Sequence, residues 1–360
     1  MRRPLGATLT LAFALASSAS AQSARSLTVG TATATPGTVA TGVIEVPAAS
    51  DSGLRIPVAV INGTKAGPVV AFVAGSHGTE YTSIVAMQRL IPRLDPRTLS
   101  GTVIVVPLVN VASFESMTPH VNPVDRKGMN SGYPGDPGGT QTQRALAAIT
   151  HDVVVPSDVV VDLHGGDLDE DLRPYSYWFR GGHAAQDSAG LRLVLAFGLD
   201  HIIVTDVDPS SAAGSRSLSG QALARGKTVL VAEAGRSGTV TTRDLDALVN
   251  GSLAVLRQLH VVPGVVRSVR QPVWLSGAGA RVAADSAGVF FASVPRDTRV
   301  KKGELLGYTT DYLGRRTGEV RAPIDGLVTF IRGVPSAWKG ATLVNVAPVL
   351  AKPGAWSVKP

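Results

Sequence analysis

Short apolar runs, each the length of a buried β-strand, recur along the first two thirds of this 360-residue chain and alternate with segments of helical character. The runs are rich in Val and Ile, as expected for strands covered on both faces. They span residues 69–74, 102–108, 159–163, 202–205 and 228–232, and the helical segments span 81–94, 140–149, 191–197 and 243–259. This alternation predicts an α/β fold with a mostly parallel or mixed sheet flanked by helices. We expect it to form one domain over residues 22–265.

The pattern changes after Pro263, where no helical period of useful length appears. Short β-like runs separated by Gly, Pro and Asp predict a small all-β domain over residues 266–360. Segments 300–307 and 321–328 resemble the hammerhead fold (a barrel-sandwich hybrid) of biotinyl and lipoyl carriers. A carrier needs a lysine at its hairpin tip, and residues 308–320 contain no Lys. We therefore expect a structural or gating domain.

The N-terminus has the three parts of a secretory signal. Arg2 and Arg3 form a short basic region, residues 5–16 are mostly apolar, and Ala19-Ser20-Ala21 offers a cleavage site of small residues. The apolar part is shorter than the about 20 residues that cross a bilayer, which disfavours the alternative of a membrane anchor. We expect residues 1–21 to be removed and the mature protein, without a membrane span, to be periplasmic or secreted.

Charge and cysteine content exclude several functions. The formal net charge is +7, and loss of Arg2 and Arg3 would lower it to +5. The basic residues of the chain are scattered along the sequence, which argues against a nucleic-acid partner. The chain has no cysteine, so disulfides, thiol catalysis and cysteine ligation of a metal are excluded. The sequence leaves the oligomeric state open.

One buried strand runs directly into the polar turn Gly75-Ser76-His77-Gly78-Thr79-Glu80. His77 and Glu80 are three residues apart, so at the start of a helix the imidazole and the carboxylate can converge on one ion. The two glycines permit a tight turn. Taken alone, the pair is explained equally well as the first turn of an ordinary helix.

Two of the other buried strands end in side chains of the same chemistry, His164 and Glu233. In open α/β sheets ligands bind outside the carboxyl ends of the strands, so these residues are expected to meet His77 and Glu80 at one sheet edge. Two histidines and one carboxylate leave an open position for water, which is the ligand set of a catalytic zinc. Glu233 is then free to act as general base. The alternative is that the four are unrelated loop residues.

The runs Gly-Ser-His-Gly-Thr-Glu-Tyr, Asp-Leu-His-Gly and Glu-Ala-Gly resemble, in order and spacing, the succinylglutamate desuccinylase/aspartoacylase family of the zinc carboxypeptidase superfamily. The resemblance extends from about Gly42 to the C-terminus. It implies one zinc per chain, held by His77, Glu80 and His164, with Glu233 as the catalytic glutamate. It also implies hydrolysis of the amide bond of an N-acyl amino acid or a related small molecule, in which Glu233 takes a proton from the attacking water and delivers one to the leaving amine.

The stretch 122–135 resembles the loop with which this family binds its substrate, and Asn130 matches the family's asparagine. The next family residue is an arginine that helps to bind a substrate carboxylate by bidentate contact, and Ser131 stands in its place. The family has a second arginine upstream of this loop, and no residue near Met117 matches it cleanly. Arg126 is a candidate substitute for that second arginine, with a plain surface charge as the alternative. Arg236, which directly follows Glu-Ala-Gly, is a second candidate cation.

Two further residues are expected near the site. Asp162 lies two residues before His164 and so on the same strand face, where it can support a ligand histidine or simply cap a turn. His120 is the remaining histidine most expected at the site, because it lies in the substrate loop, while the others are expected on the surface or in packing.

Other functions remain as alternatives. The serine-hydrolase signature Gly-x-Ser-x-Gly and the zincin signature His-Glu-x-x-His are both absent. The nearest enzymatic alternative is a zinc carboxypeptidase that acts on peptides. A non-catalytic, zinc-containing periplasmic binding protein is favoured by Ser131 and disfavoured by Glu233.

Overall fold

The structure is a computed structural model that describes residues 25–208 and 214–354, so the predicted signal peptide at residues 1–21 lies outside the described residues. The described residues form six α-helices and 21 β-strands. None of these helices combines the length and the apolar character needed to cross a bilayer.

The elements fall into two groups along the chain. The first eleven strands are β1 (Leu27–Val29), β2 (Ala32–Ala34), β3 (Thr38–Val46), β4 (Leu54–Asn62), β5 (Lys65–Ala74), β6 (Ser100–Val106), β7 (Val159–His164), β8 (Glu170–Leu172), β9 (Tyr175–Arg180), β10 (His201–Asp206) and β11 (Thr228–Glu233). The later strands are β12 (Val273–Ser276), β13 (Ala280–Ala283), β14 (Gly288–Ala292), β15 (Arg299–Val300), β16 (Leu305–Thr310), β17 (Arg316–Arg321), β18 (Gly326–Arg332), β19 (Ser336–Ala337), β20 (Thr342–Ala347) and β21 (Val349–Leu350). The helices are α1 (Tyr81–Leu90), α2 (Val111–Ser116), α3 (Gln141–Ile149), α4 (Ala184–Phe197), α5 (Leu218–Ala224) and α6 (Thr242–Gln258).

Ten strands form one mixed sheet in the order β21-β12-β10-β9-β11-β7-β5-β6-β4-β3. At its centre β11, β7, β5 and β6 are parallel, and β9 runs antiparallel to β11. Helices α1, α4 and α6 pack on one face, and α3 and α5 pack on the other. The predicted α/β fold class, a mixed sheet flanked by helices, is therefore confirmed.

Strand β7 shows why this sheet is covered on both sides. All six of its residues are buried. Val159, Val161 and Leu163 belong to the core shared with α1, whereas Val160 belongs to the core shared with α3. This two-residue alternation places Asp162 and His164 on the α3 side of the sheet.

Helix ends follow local chemistry where the sequence signals are strong. α1 ends at Leu90 because Pro92 follows, and a single 3₁₀ turn over Ile91–Arg93 closes it. The Thr241 side chain accepts a hydrogen bond from the Asp244 backbone N–H and so caps α6. By contrast, α4 begins seven residues before the predicted start at 191, and the short helices α2 and α5 were not predicted.

The C-terminal region consists of β-strands, as predicted, and strands β13 to β20 pair antiparallel. Five strands form one sheet, in which β8 joins the path β13-β20-β18-β15, and four form another in the order β17-β16-β14-β19. Strands β12 and β21, although they follow the predicted boundary at 265/266, extend the central sheet instead. The boundary itself stays a prediction.

The loop that follows β7 is joined to the C-terminal region. β8 pairs with β18, so Phe330 lies opposite Leu172 in the ladder. The Arg332 side chain is only 2% exposed, and its Nη2 lies 2.9 Å from Asp169 Oδ2. Backbone pairing and a buried ion pair thus hold this loop against the C-terminal sheet.

Candidate active site

Three neighbouring parallel strands end at the same edge of the central sheet. β5 leads into the turn that carries His77 and Glu80, β7 ends at His164, and β11 ends at Glu233. Glu233 is the direct register partner of His164. The structure therefore brings together the four side chains that the sequence placed at one sheet edge.

The turn after β5 requires its glycines. Gly75 has φ +66°, in the left-handed region, and a Cβ there would lie 2.8 Å from Leu108 Cδ1. A Cβ on Gly78 would collide with the backbone N of Phe114. Glycine is therefore required at both positions. Its lack of a side chain lets the chain turn sharply, and the turn directs His77 and Glu80 to the sheet edge.

The two histidines face the carboxylate of Glu80 from two sides. His77 Nδ1 lies 2.6 Å from Glu80 Oε1, and His164 Nδ1 lies 2.9 Å from Glu80 Oε2. One ligand atom from each residue lies within 4.8 Å of the others. The Gly165 backbone N–H also donates to Glu80 Oε2, at 3.0 Å. Two imidazole nitrogens and a carboxylate oxygen at this spacing fit the ligand set of a divalent cation such as Zn²⁺.

Charge coupling dominates this cluster. Burial alone would raise the pKa of Glu80, but the charges and hydrogen bonds of His77 and His164 outweigh it and hold that pKa well below its usual range. Burial alone would lower the pKa of His164, but Asp162 and Glu80 raise it well above the usual value. The two histidines therefore balance the charge of the ionised carboxylate. A bound metal cation would take the place of their protons and would be held by the same nitrogens.

Asp162 and Asn130 lie beside the other nitrogen of His164. Asp162 Oδ1 is 3.3 Å from His164 Nε2, and Asn130 Nδ2 is 3.4 Å from the same atom. With Nδ1 facing Glu80, contacts at Nε2 fix the orientation of the ring. Asp162 thus occupies the supporting position that was one of its two predicted roles.

Glu233 lies in the same pocket, and among the described residues one side chain hydrogen-bonds to it. The Tyr175 hydroxyl donates to Glu233 Oε2 at 3.4 Å. Burial raises the pKa of Glu233 to about 7, where the charge of Glu80 adds to the effect and those of His164 and His77 oppose it. A carboxylate with a pKa near neutrality is suited to accept and return a proton.

These residues line a cavity of about 390 Å³, which is the size of a small-molecule site. Tyr175, Tyr177 and Phe179 of β9 form an aromatic wall, and Phe330 and Asn345 come from the C-terminal region. None of the sixteen described residues that line the cavity is Arg or Lys.

The candidate substrate arginines lie elsewhere. Arg126 is exposed in a turn with φ +60°, where its backbone N–H donates to the Asn122 carbonyl, and it does not line the cavity. The prediction that Arg126 binds substrate is therefore not supported by its position, because this turn leads the side chain to solvent. Arg236 is 55% exposed and lies 3.3 Å from Asp171 Oδ2. Ser131 is also exposed.

Sequence reasoning missed an acidic run, residues 167–171, in which four of five residues are Asp or Glu. Asp167 is fully buried and accepts a hydrogen bond from the Thr79 hydroxyl. His120 lies between two of these carboxylates, with Nδ1 3.2 Å from Asp167 and Nε2 2.9 Å from Asp169. Glu170 lines the cavity. The available signal was the density of acids directly after Asp-Leu-His-Gly-Gly.

Comparisons with known proteins agree on one family. The model of the succinylglutamate desuccinylase/aspartoacylase catalytic domain matches residues 66–259. The chain is 28% identical over 322 residues to an N-alpha-acetyl-L-2,4-diaminobutyric acid deacetylase of Halomonas elongata, covering 87% of this chain and 92% of that one.

Solved structures show the same fold. A succinylglutamate desuccinylase/aspartoacylase from Rhodobacter sphaeroides is 25% identical with a TM-score of 0.77, covering 87% of this chain and 96% of that one. The product-bound ectoine utilization protein EutE (DoeB) from Ruegeria pomeroyi is 24% identical with a TM-score of 0.75, covering 86% and 95% respectively.

Proposed function

The chain belongs to the succinylglutamate desuccinylase/aspartoacylase family, and on that premise we propose that it is a zinc-dependent deacylase that hydrolyses the amide bond of an N-acyl amino acid or a related small molecule. The observation that carries this proposal is the convergence of His77, Glu80 and His164 on one point, with Glu233 in register beside them.

His77, Glu80 and His164 would hold the zinc. Bound there, the ion would supply a Lewis acid beside the scissile carbonyl. Glu80 is held ionised by its neighbours, so it is ready to bind a cation without losing a proton. Asp162 and Asn130 keep the imidazole of His164 in place.

Glu233 would carry the proton transfers. Its carboxylate would take a proton from the attacking water and later deliver it to the nitrogen of the leaving amine, so the amide and the water become a carboxylic acid and an amine. The hydrogen bond from Tyr175 leaves one carboxylate oxygen, Oε1, free for this exchange.

A small substrate fits the cavity better than a polypeptide. The space of about 390 Å³ is bounded by Phe330 and Asn345 of the C-terminal region as well as by β9. The relative from Halomonas elongata is named for the deacetylation of an N-acetylated amino acid, which supports the same substrate class here. A carboxypeptidase acting on peptides and a non-catalytic zinc-binding protein remain the alternatives.

The test is a screen of N-acetyl and N-succinyl amino acids, and of short peptides, with the zinc-loaded protein. We expect release of the acyl group as a free acid together with a free amine, loss of that activity with a chelator, and recovery when zinc is restored. Release of a C-terminal amino acid from the peptides alone would identify a carboxypeptidase. Saturable binding without turnover of any compound would identify a binding protein.

We also propose that the protein acts outside the cytoplasm, in the periplasm or as a secreted protein. The support is the basic, apolar and small-residue pattern of residues 1–21. Expression of the full chain and N-terminal sequencing of the exported product should give Gln22 as the first residue. A cytoplasmic product that keeps the leader would overturn this assignment.

A further inference from the structure

The ligand turn (residues 75–80), which carries His77 and Glu80, belongs to no helix or strand. Contacts of its own residues must therefore hold it in shape. The Ser113 hydroxyl of α2 accepts a hydrogen bond from the Gly78 backbone N–H, at 3.1 Å, and so holds the turn from the side of α2. Thr79 lies between the two proposed zinc ligands and is fully buried, and its hydroxyl makes a further contact.

The Thr79 hydroxyl donates to Asp167, a fully buried carboxylate in the acidic run after β7. The Oδ1 atom of Asp167 accepts from Thr79 and also from the Leu168 backbone N–H, at 2.7 Å. The Oδ2 atom accepts from the His120 backbone N–H, at 3.0 Å, and lies 3.2 Å from His120 Nδ1. One carboxylate thus joins the ligand turn to the loop that leads to Asn130.

His120 extends this contact to the ring of His77. The backbone of His120 has φ +64°, in the left-handed region that few residues other than glycine adopt. A conformation of this kind persists where the surrounding contacts hold it. Here they are the contacts with Asp167 and, through Nε2 at 2.9 Å, with Asp169. The imidazole held in this way lies edge-on to that of His77, with 6.2 Å between the ring centroids.

The acidic run that supplies Asp167 is itself anchored to the C-terminal region. Asp169 pairs with Arg332 at 2.9 Å, and Asp171 pairs with Arg296 at 3.1 Å. Strand β8, which overlaps the run, also pairs with β18. A support that is fixed by ion pairs and by a sheet can hold the ligand turn in one position.

Burial for stability alone is the competing explanation, because any buried carboxylate needs hydrogen-bond donors. Such a role makes no demand on which residues supply them. Asp167 takes its hydroxyl donor from the residue directly before Glu80, and its imidazole partner is the ring beside His77. Both partners therefore lead to proposed zinc ligands.

Resting on the zinc site of the proposed function, we propose that Asp167 is a positioning residue that keeps His77 and Glu80 in the geometry that binds the metal. Thr79 carries its effect to Glu80, and His120 carries it to His77. Loss of this support leaves all three ligands in the chain but lowers zinc affinity, because the groups around metal ligands orient them.

The experiment measures the zinc dissociation constant of the metal-free full-length protein by competition with a chelator. Circular dichroism first establishes that each variant is folded. Thr79→Val removes the hydroxyl and keeps the shape of the side chain, and we expect it to raise the Kd for zinc about 10- to 100-fold, the usual cost of losing a group that orients metal ligands. Thr79→Ser keeps the hydroxyl and should bind zinc nearly as tightly as the wild type.

Thr82→Val is the matched control. Thr82 is 2% exposed, and its hydroxyl donates to the Thr239 carbonyl at 3.0 Å instead of to Asp167. Removal of this hydroxyl should lower the free energy of unfolding of the zinc-free protein about as much as Thr79→Val does, because each change removes one buried hydrogen bond. The Kd for zinc should stay at the wild-type value.

Asp167→Asn tests the same support from its other end, and it replaces Thr79→Val if that variant does not fold. Both oxygens of Asp167 accept from backbone N–H groups, those of Leu168 and His120. Either orientation of an asparagine amide therefore turns its NH₂ group against one of these donors. We expect the Kd for zinc to rise in this variant as well.

A wild-type Kd in folded Thr79→Val or Asp167→Asn would overturn the inference. So would an equal rise in Thr82→Val, or a Thr79→Ser variant that binds zinc as weakly as Thr79→Val, because stability and not position would then govern binding.

Zinc affinity does not depend on turnover, so the result is separate from the deacylase proposal. If no acyl compound is hydrolysed but Thr79→Val still binds zinc more weakly than Thr82→Val, the deacylase proposal fails and the role of Asp167 is supported. A wild type that binds no zinc would overturn both.

Discussion

Glu233 and Tyr175 are register partners across the antiparallel strands β11 and β9, and the Tyr175 hydroxyl donates to Glu233 Oε2 at 3.4 Å. Burial and the charge of Glu233 raise the pKa of Tyr175 well above its usual value, so the hydroxyl keeps its proton and donates it to the ionised carboxylate. The proposed proton carrier is therefore oriented by the strand that reverses direction within the central sheet.

Replacement of Glu233 by Gln should remove proton transfer and leave the metal site intact. We expect kcat to fall by about 10²- to 10⁴-fold, the usual contribution of a general base, with a zinc content equal to that of the wild type. Steady-state kinetics and elemental analysis on the same sample check both parts. Wild-type turnover in a fully loaded Glu233→Gln protein would end the general-base assignment.

Replacement of His164 by Ala should abolish stoichiometric zinc binding, since it removes one of three protein ligands and leaves two of them. His151→Ala is the matched control, because the side chain of His151 is 85% exposed and pairs with its neighbour Asp152. Elemental analysis after dialysis should give about one zinc per chain for the control and far less for His164→Ala. A full complement of zinc in His164→Ala would remove this residue from the ligand set.

The pH dependence of kcat/KM should show an acidic limb that belongs to Glu233. The carboxylate must be ionised to accept a proton, and burial raises its pKa from 4.5 to about 7, so activity is lost as the pH falls through this range. A bound zinc cation favours the ionised form and moves the midpoint below 7. We therefore expect a midpoint between 4.5 and about 7, and no such limb in the residual activity of Glu233→Gln. A profile that is flat from pH 4.5 to 8 contradicts this prediction.

Removal of the Arg332 side chain should destabilise the protein strongly. Its guanidinium is 2% exposed, pairs with Asp169 and donates to the Ser336 and Thr342 carbonyls. Arg332→Ala leaves a buried carboxylate with less compensation, and such changes cost about 3–5 kcal/mol in the free energy of unfolding.

Arg316→Ala is the control for Arg332→Ala. Its side chain is 52% exposed and pairs with the exposed Glu319, so its loss should cost about 0–1 kcal/mol. Denaturant unfolding of the two variants in parallel measures both values. Equal, small losses would show that the buried pair does not hold the acidic run against the C-terminal sheet.

The sequence predicted the structure best where a single physical rule determined which residue types occur. The Val-rich runs of β5, β7 and β11 could be predicted because strands covered on both faces need unbroken apolar sequences. The positions of His77, His164 and Glu233 followed from the general rule that parallel strands deliver their carboxyl ends to one edge.

The remaining features depended on contacts between distant segments. β9 was missed because Tyr175, Tyr177 and Phe179 line a cavity together with Phe330, which lies more than 150 residues further along the chain. The different contacts of the four acids in the run 167–171 could not be predicted, because the acids look alike in sequence and several of their partners lie in distant segments. Arg126 was proposed from its place in a loop, but its turn leaves it in solvent.

After the antiparallel sheets of the C-terminal region, the chain returns to the central sheet at β21. Val349 and Leu350 of β21 pair with β12, and β21 thereby covers the edge that β12 would otherwise leave open. A shortened protein that stops before residue 345 would lose this cover and also the Asn345 wall of the cavity. Because an open strand edge is a template for pairing with other chains, such a fragment should aggregate rather than behave as a smaller enzyme. The C-terminal region therefore completes both the central sheet and the cavity, and it cannot be removed or exchanged as an independent domain.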